Sequence, residues 1–220
     1  PSAIQAPGIL TAHRIGRRSR LVGQRLQMHP GSALVGVFDE PVRMWFGATQ
    51  GYETTHYWDE RMKFETVGMP LEVGAGRLPG YGAELMHRIA DFGYVTQWGA
   101  QVRARTLGRV SRGLFGGTRI RYDMGADDVK VLKKGLVRIG ELMFAAGARA
   151  IYPGIHGIPE TITSVDPLHG LDDLPDDPRL FHGIASHLFG TAKMGPDPAS
   201  SVVDERGRCH DTDNLYVIDS

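Results

Sequence analysis

The chain has 220 residues, 41% of them hydrophobic, with Lys+Arg and Asp+Glu both at 25; this is the make-up of a globular protein with one core, or one plus part of another. Without a basic excess nothing draws nucleic acid or anionic lipid as a general partner, and the single cysteine, Cys209, excludes an internal disulfide and a cysteine-rich zinc site. That lone cysteine leaves the redox compartment open, with the cytoplasm as the expected location; no apolar run reaches the roughly 18 residues that span a bilayer and no signal peptide opens the chain, so neither addresses the protein anywhere.

Residues 3–10 are apolar and punctuated by Pro7 and Gly8, which predicts a short helix running into a turn that carries Arg14, Arg17, Arg18 and Arg20. That basic run reads as a solvated face, with a phosphate contact as the alternative. Residues 33–38 and 42–45 are rich in β-formers and are separated by Asp39-Glu40-Pro41, predicting two strands or one bent strand. Residues 51–70 mix Tyr52, Tyr57, Trp58, Phe64 and Val67 with charges at rough alternation, as in antiparallel strands with one wet face.

Leu85, Ile89 and Phe92 recur at helical spacing, and residues 93–105 and 118–123 read as further strands or connections. Gly113-Leu114-Phe115-Gly116-Gly117 is the turn between the later pieces. The clearest helix covers residues 127–146, with Asp127 or Asp128 as N-cap, a stripe of Val129, Leu132, Leu136, Ile139 and Met143, and Gly147 as the stop. Residues 150–152 read as a strand. Residues 154–178, interrupted by Gly157, Pro159, Pro167, Gly170 and Pro175, form a connection long enough to suggest function. Strands with a long helix laid on one side predict an α+β fold, an antiparallel or mixed sheet covered by helices.

The chain opens on Pro1-Ser2-Ala3-Ile4 without methionine and closes on the apolar run Leu215-Tyr216-Val217-Ile218 followed by Asp219-Ser220. Both ends read as cut through structure. Two segments near these ends carry the chemistry. One is Ser186-His187-Leu188-Phe189-Gly190-Thr191-Ala192-Lys193-Met194-Gly195, followed by Val202-Val203-Asp204 and by residues 214–220. The other is Ser2-Ala3, Ala6-Pro7, Ile9-Leu10, Ile15-Gly16, Val22-Gly23, Leu26 and His29-Pro30.

Together these resemble the signature of glucose-methanol-choline (GMC) oxidoreductases, in which a histidine precedes Gly-Thr-x-x-Met-Gly, Val-Val-Asp follows, and a strand ends in Asp-Ala/Gly/Ser-Ser. His13-Arg14 stands where the family usually has Ser-Gly, and Arg25 where it has Asn, two departures at the flavin-contacting end. Residues 37–45, Val-Phe-Asp-Glu-Pro-Val-Arg-Met-Trp, are similar to the branch related to long-chain alcohol oxidases.

The resemblance implies FAD as cofactor and oxidation of the CH-OH group of a small-molecule alcohol by hydride transfer to the flavin. His187 is then the base that accepts the hydroxyl proton. Gly190 and Gly195 would let backbone approach a flat ring, and Asp219 and Ser220 would contact the cofactor's diphosphate and ribityl chain. The electron acceptor is open. The resemblance divides the chain into residues 1–30 and 181–220, remnants of an α/β FAD-binding domain, and residues 31–180, a substrate-binding domain whose sheet forms the chamber.

The family's G-x-G-x-x-G fingerprint is not in the sequence, since the glycines at 113, 116 and 117 do not follow a buried strand and open a helix. Nor is the family's second catalytic His or Asn, which lies beyond the final strand. The alternative is therefore a non-catalytic substrate-domain fragment that binds no FAD by itself. A metal-dependent hydrolase is a remote third reading, because His182 and His187 lack an H-E-x-x-H pattern and a third ligand. His29 before Pro30 reads as structural, Asp204 as a turn former or an orienting group, and Cys209 as a bystander.

Overall fold

The computed structural model describes residues 2–114 and 116–218. In chain order its helices and strands are α1 (Ala6–Ala12), β1 (Gln27–Met28), β2 (Gly31–Val37), β3 (Glu53–Thr54), β4 (Met62–Thr66), α2 (Leu71–Gly74), α3 (Gly82–Ala90), β5 (Val95–Val102), β6 (Arg109–Arg112), β7 (Thr118–Arg121), α4 (Ala126–Ala145), β8 (Ala150–Tyr152), α5 (Asp166–His169) and β9 (Leu188–Phe189). The fold mixes helices with antiparallel sheets. The chain forms two compact units: residues 1–29, 104–124 and 185–220 make the first, and residues 30–103 and 125–184 the second.

The second unit is built on a five-stranded sheet in the order β3-β4-β5-β2-β8, and every neighbouring pair is antiparallel. β2, between β5 and β8, is buried along its whole length, so its run of Ala, Leu and Val fills both faces of the sheet. Alternation along the strand sends Leu34 toward α4 and Val35 and Val37 the other way. On that other side Val35, Val37 and Val95 join Leu78 and Phe92, with Leu85 and Ile89 of α3 packed against them.

α4 lies on the sheet through the stripe Val129, Leu132, Leu136, Ile139 and Met143, all fully or almost fully buried. Burial of each larger member contributes about 1.5–3 kcal/mol. Close approach is possible because Gly135 faces β5: a Cβ there would lie 2.9 Å from Ala100 Cβ. The helix starts one residue earlier than its apolar stripe indicates, with Gly125 as the N-cap and Asp127 and Asp128 in the first turn, where they suit the positive end of the helix dipole. Asp128 is a first-turn residue and not the cap, and its carboxylate pairs with Arg61 at 2.7 Å. The stop is as expected, with Gly147 at φ +95° and the Ala148 amide donating to the Met143 carbonyl.

Two expectations change. Residues 42–45 are not a strand: the Val42 and Arg43 amides both donate to the Gly93 carbonyl, and Arg43 takes a left-handed φ of 53°. The β-formers there are used on a turn, and Met44 packs onto the cluster around Phe92. β6 was not marked by the sequence; its short, charged run Arg-Val-Ser-Arg pairs with β7, and beyond the pairing the Gly113 amide donates to the Gly117 carbonyl.

The first unit is held by a smaller core of Leu10, Val202, Val203 and Cys209, with Ile15, Leu21, Val22, Ala192, Leu215 and Val217 against it. It therefore joins α1 to residues almost two hundred positions later. Residues 215–217 run beside 207–209, the Cys209 amide donating to Leu215 and the Val217 amide to Gly207.

Candidate functional site

His187 belongs to the first unit and immediately precedes β9. That strand pairs antiparallel with β1, Gln27 opposite Phe189 and Met28 opposite Leu188. Continuing the register by one residue sets His29 opposite His187, which explains why the two imidazoles stack with centroids 4.8 Å apart and planes 30° from parallel. His187 is exposed, and neither of its ring nitrogens hydrogen-bonds to another described residue. The side chain is thus oriented by a ring on one side and open to a ligand at its edge. His29, read as structural from the His-Pro dipeptide, is the ring that steadies it; only the strand register reveals this.

Gly190 follows β9 at φ +86°, and a Cβ there would come 2.5 Å from the Arg25 carbonyl oxygen. The backbone itself demands glycine here, independently of any ligand. Thr191 is buried and its Oγ1 donates to the Ala3 carbonyl at 2.6 Å, while its own carbonyl accepts from the Gly23 amide at 2.8 Å. The Gly-Thr of one signature segment thereby fastens the other signature segment, at residues 3 and 23.

Gly195 faces Ser201, whose hydroxyl lies 2.8 Å from the Gly195 carbonyl, 2.6 Å from the Asp197 carbonyl and 2.9 Å from His210 Nε2. This serine–histidine pair escaped the sequence reading. Ser201 is 1% exposed, and its proton is committed to backbone carbonyls, so the pair fixes the loop at 195–201 and is no nucleophile. Asp204 accepts from the Arg206 and Arg208 amides, at 2.9 Å each. These two bonds, Arg208's first, hold its carboxyl below the ordinary range. It forms a turn.

Burial, with Asp211 and Asp204 nearby, pushes the Cys209 thiol upward, the direction of an inert cysteine. Arg14, Arg17, Arg18 and Arg20 are all exposed, with Arg18 3.6 Å from Asp211. Asp219 and Ser220 lie outside the described residues. His182 belongs to the second unit. Among the described residues no three His, Cys, Asp or Glu are placed to hold a metal ion, and no helix is long and apolar enough to cross a membrane.

The family profile described as GMC oxidoreductase, covering its C-terminal part, matches residues 116–220. An uncharacterized GMC-type oxidoreductase of Mycobacterium tuberculosis is 34% identical over 224 residues, covering 99% of this chain and 34% of that protein. A shorter stretch of 35 residues, 16% of this chain and 6% of the other, is 57% identical to 6'''-hydroxyparomomycin C oxidase of Streptomyces lividus. Among solved structures, a variant formate oxidase of Aspergillus oryzae, studied for its FAD modification, superposes with a TM-score of 0.63 at 14% identity, covering 98% of this chain and 47% of that one. The chain spans about a third of the length of the Mycobacterium relative. The His187 segment, the fastening of the two signature segments and these likenesses agree: the chain belongs to the GMC oxidoreductase family, as a portion that includes its C-terminal region.

Proposed function

We propose that the chain is part of an FAD-dependent oxidoreductase that oxidises the CH-OH group of an alcohol, with His187 as the proton acceptor. The observation that carries this reading is the seat of His187: exposed, stacked on His29, and hydrogen-bonded to no other described residue. A base of this kind needs an accessible nitrogen in a fixed orientation, and imidazole titrates in the useful range between pH 5 and 8. The described residues fit a flavin-bearing site in that respect, since the imidazole edge lies open beside a ladder rigidly tied at Gly190 and Thr191.

A bound flavin supplies the hydride acceptor. This chain's part is to receive the hydroxyl proton on a His187 nitrogen while the ring stays flat against His29. Asp219 and Ser220 are the proposed contacts to the diphosphate. The first unit is proposed as the portion of the FAD-binding domain, with residues 104–124 joined to it, and the second unit as the substrate domain. The likeness to an oxidase named for a hydroxy compound, 6'''-hydroxyparomomycin C, supports a hydroxyl as the reacting group.

The test is anaerobic reduction of the flavin by a primary alcohol series in the flavin-loaded protein. His187→Ala and His187→Gln are expected to slow reduction by about 10²–10⁴-fold, the usual span for loss of a general base, with flavin content retained. Reduction at the parental rate in both variants would refute the assignment. The other reading, that this chain alone holds no FAD, is favoured by the glycines at 113–117, which join β6 to β7 in a hairpin and open no helix. Flavin absorbance in the purified chain decides between them.

A further inference from the structure

A cavity of about 260 Å³ lies within the second unit. Its walls combine apolar side chains, Leu78, Ile155 and Ile158, with Arg77, His182 and Glu160. Arg77 is half-buried, and its Nη2 donates to the Ala33 carbonyl of β2. It has no carboxylate partner among the described residues. A guanidinium has five N–H groups in a flat fork, and one backbone carbonyl leaves most of them to be satisfied from the cavity.

Gly154, at φ +60°, lies beside that fork: a Cβ on it would be in ordinary van der Waals contact, 3.4 Å, with both Arg77 Nη1 and Nη2, so backbone flanks the guanidinium on this side. Burial pushes the Arg77 guanidinium below its ordinary value, the direction expected of a cation held without a counter-ion. Burial and then the charge of Arg77 likewise push His182 down.

We propose that this cavity binds a small organic monocarboxylate, its carboxylate on the Arg77 fork and its apolar body against Leu78, Ile155 and Ile158. One obligatory cation balances one negative charge. Glu160 on the same wall opposes a second, which disfavours phosphate dianions. The site is independent of the flavin reading, because none of its residues belongs to the first unit and its occupancy needs no cofactor.

The experiment is calorimetric titration of the purified protein with sodium benzoate, benzyl alcohol and inorganic phosphate. Benzoate is expected to saturate one site, and benzyl alcohol, the same ring without the charge, to bind at least about tenfold more weakly, as loss of a charge-assisted pair implies. Arg77→Gln is expected to abolish the difference between them. Equal binding of benzoate and benzyl alcohol, non-saturable benzoate, or tighter phosphate than benzoate overturns the proposal. Should Arg77→Gln fail to fold, the exposed Glu160→Gln serves instead: it is expected to tighten benzoate severalfold and leave benzyl alcohol unchanged, and any other result counts against the site.

Discussion

At the scale of single residues, Gly190 is a position where backbone excludes a side chain. Its φ of +86° and the 2.5 Å approach of a would-be Cβ to the Arg25 carbonyl are two separate penalties. Gly190→Ala is expected to destabilise the protein by about 1–3 kcal/mol from the strained conformation, with the clash added, as read from the midpoint of urea unfolding. His187 was singled out by its flanking Gly-Thr-x-x-Met-Gly, but the ring it stacks on was not. His29 lies 158 positions earlier, and nothing in a His-Pro dipeptide indicates which ring it will face. The pairing is a consequence of strand register, which one sequence does not show. Ser201 and His210 escaped for the same reason, since their contact passes through a loop.

At the scale of elements, α4 was readable because its apolar period is long and it ends at a glycine. Leu136→Ala at the middle of its buried stripe is expected to cost about 2–5 kcal/mol, given that Leu136 is fully buried and faces a closely packed sheet; equilibrium denaturation checks this. What the period cannot show is how the polar face is used. Glu60, in the short helical turn Trp58–Glu60, accepts Arg138 bidentately at 2.9 and 3.0 Å and also meets Lys134 of α4. The Arg138 bonds, followed by that to Lys134, lower its carboxyl from 4.5 to about 2.

A carboxyl with a depressed folded-state value contributes stability that is complete above its unfolded value and is lost as the pH falls through the folded one. The Glu60 contribution is therefore expected above about pH 5 and should fade toward about pH 2. Glu60→Gln is expected to flatten the acid limb of the stability curve in that window and to leave its slope near neutrality unchanged, measured by urea unfolding across the series. The strand reading of residues 42–45 failed because propensity reports only fitness for a half-buried surface; here both amides found the Gly93 carbonyl instead of a neighbouring strand.

At the scale of the whole molecule, both units are discontinuous in sequence. The core of the first joins Leu10 to Val202, Val203 and Cys209, so α1 has little to bury itself against without the last thirty-odd residues. In a chain ending after Ile184, α1 is expected to lose amide protection while β2 and β5 keep theirs, as followed by hydrogen exchange with peptide-level mass spectrometry. Retained protection in residues 6–12 would show that the helix stands on local interactions alone, which its seven residues do not favour. The antiparallel sheet under a covering helix was legible in outline. The membership of residues 104–124 was not, because their short charged strands carry no sign of which core they will join.

The chain leaves the first unit after His29, returns at Ala104, leaves again after Met124 and returns at Ala185. Both returns are fastened at the point of first departure: Leu26 bridges Gly108, and β1 zips to β9. Both ties lie within the first unit, at residues 26–28, and the second of them seats His187 opposite His29. The stretches of chain between the ties can lengthen, shorten or change in sequence without altering the pairings that orient that histidine. Should the second unit be the substrate domain proposed above, the residues that select a substrate and the one that takes its proton would vary independently.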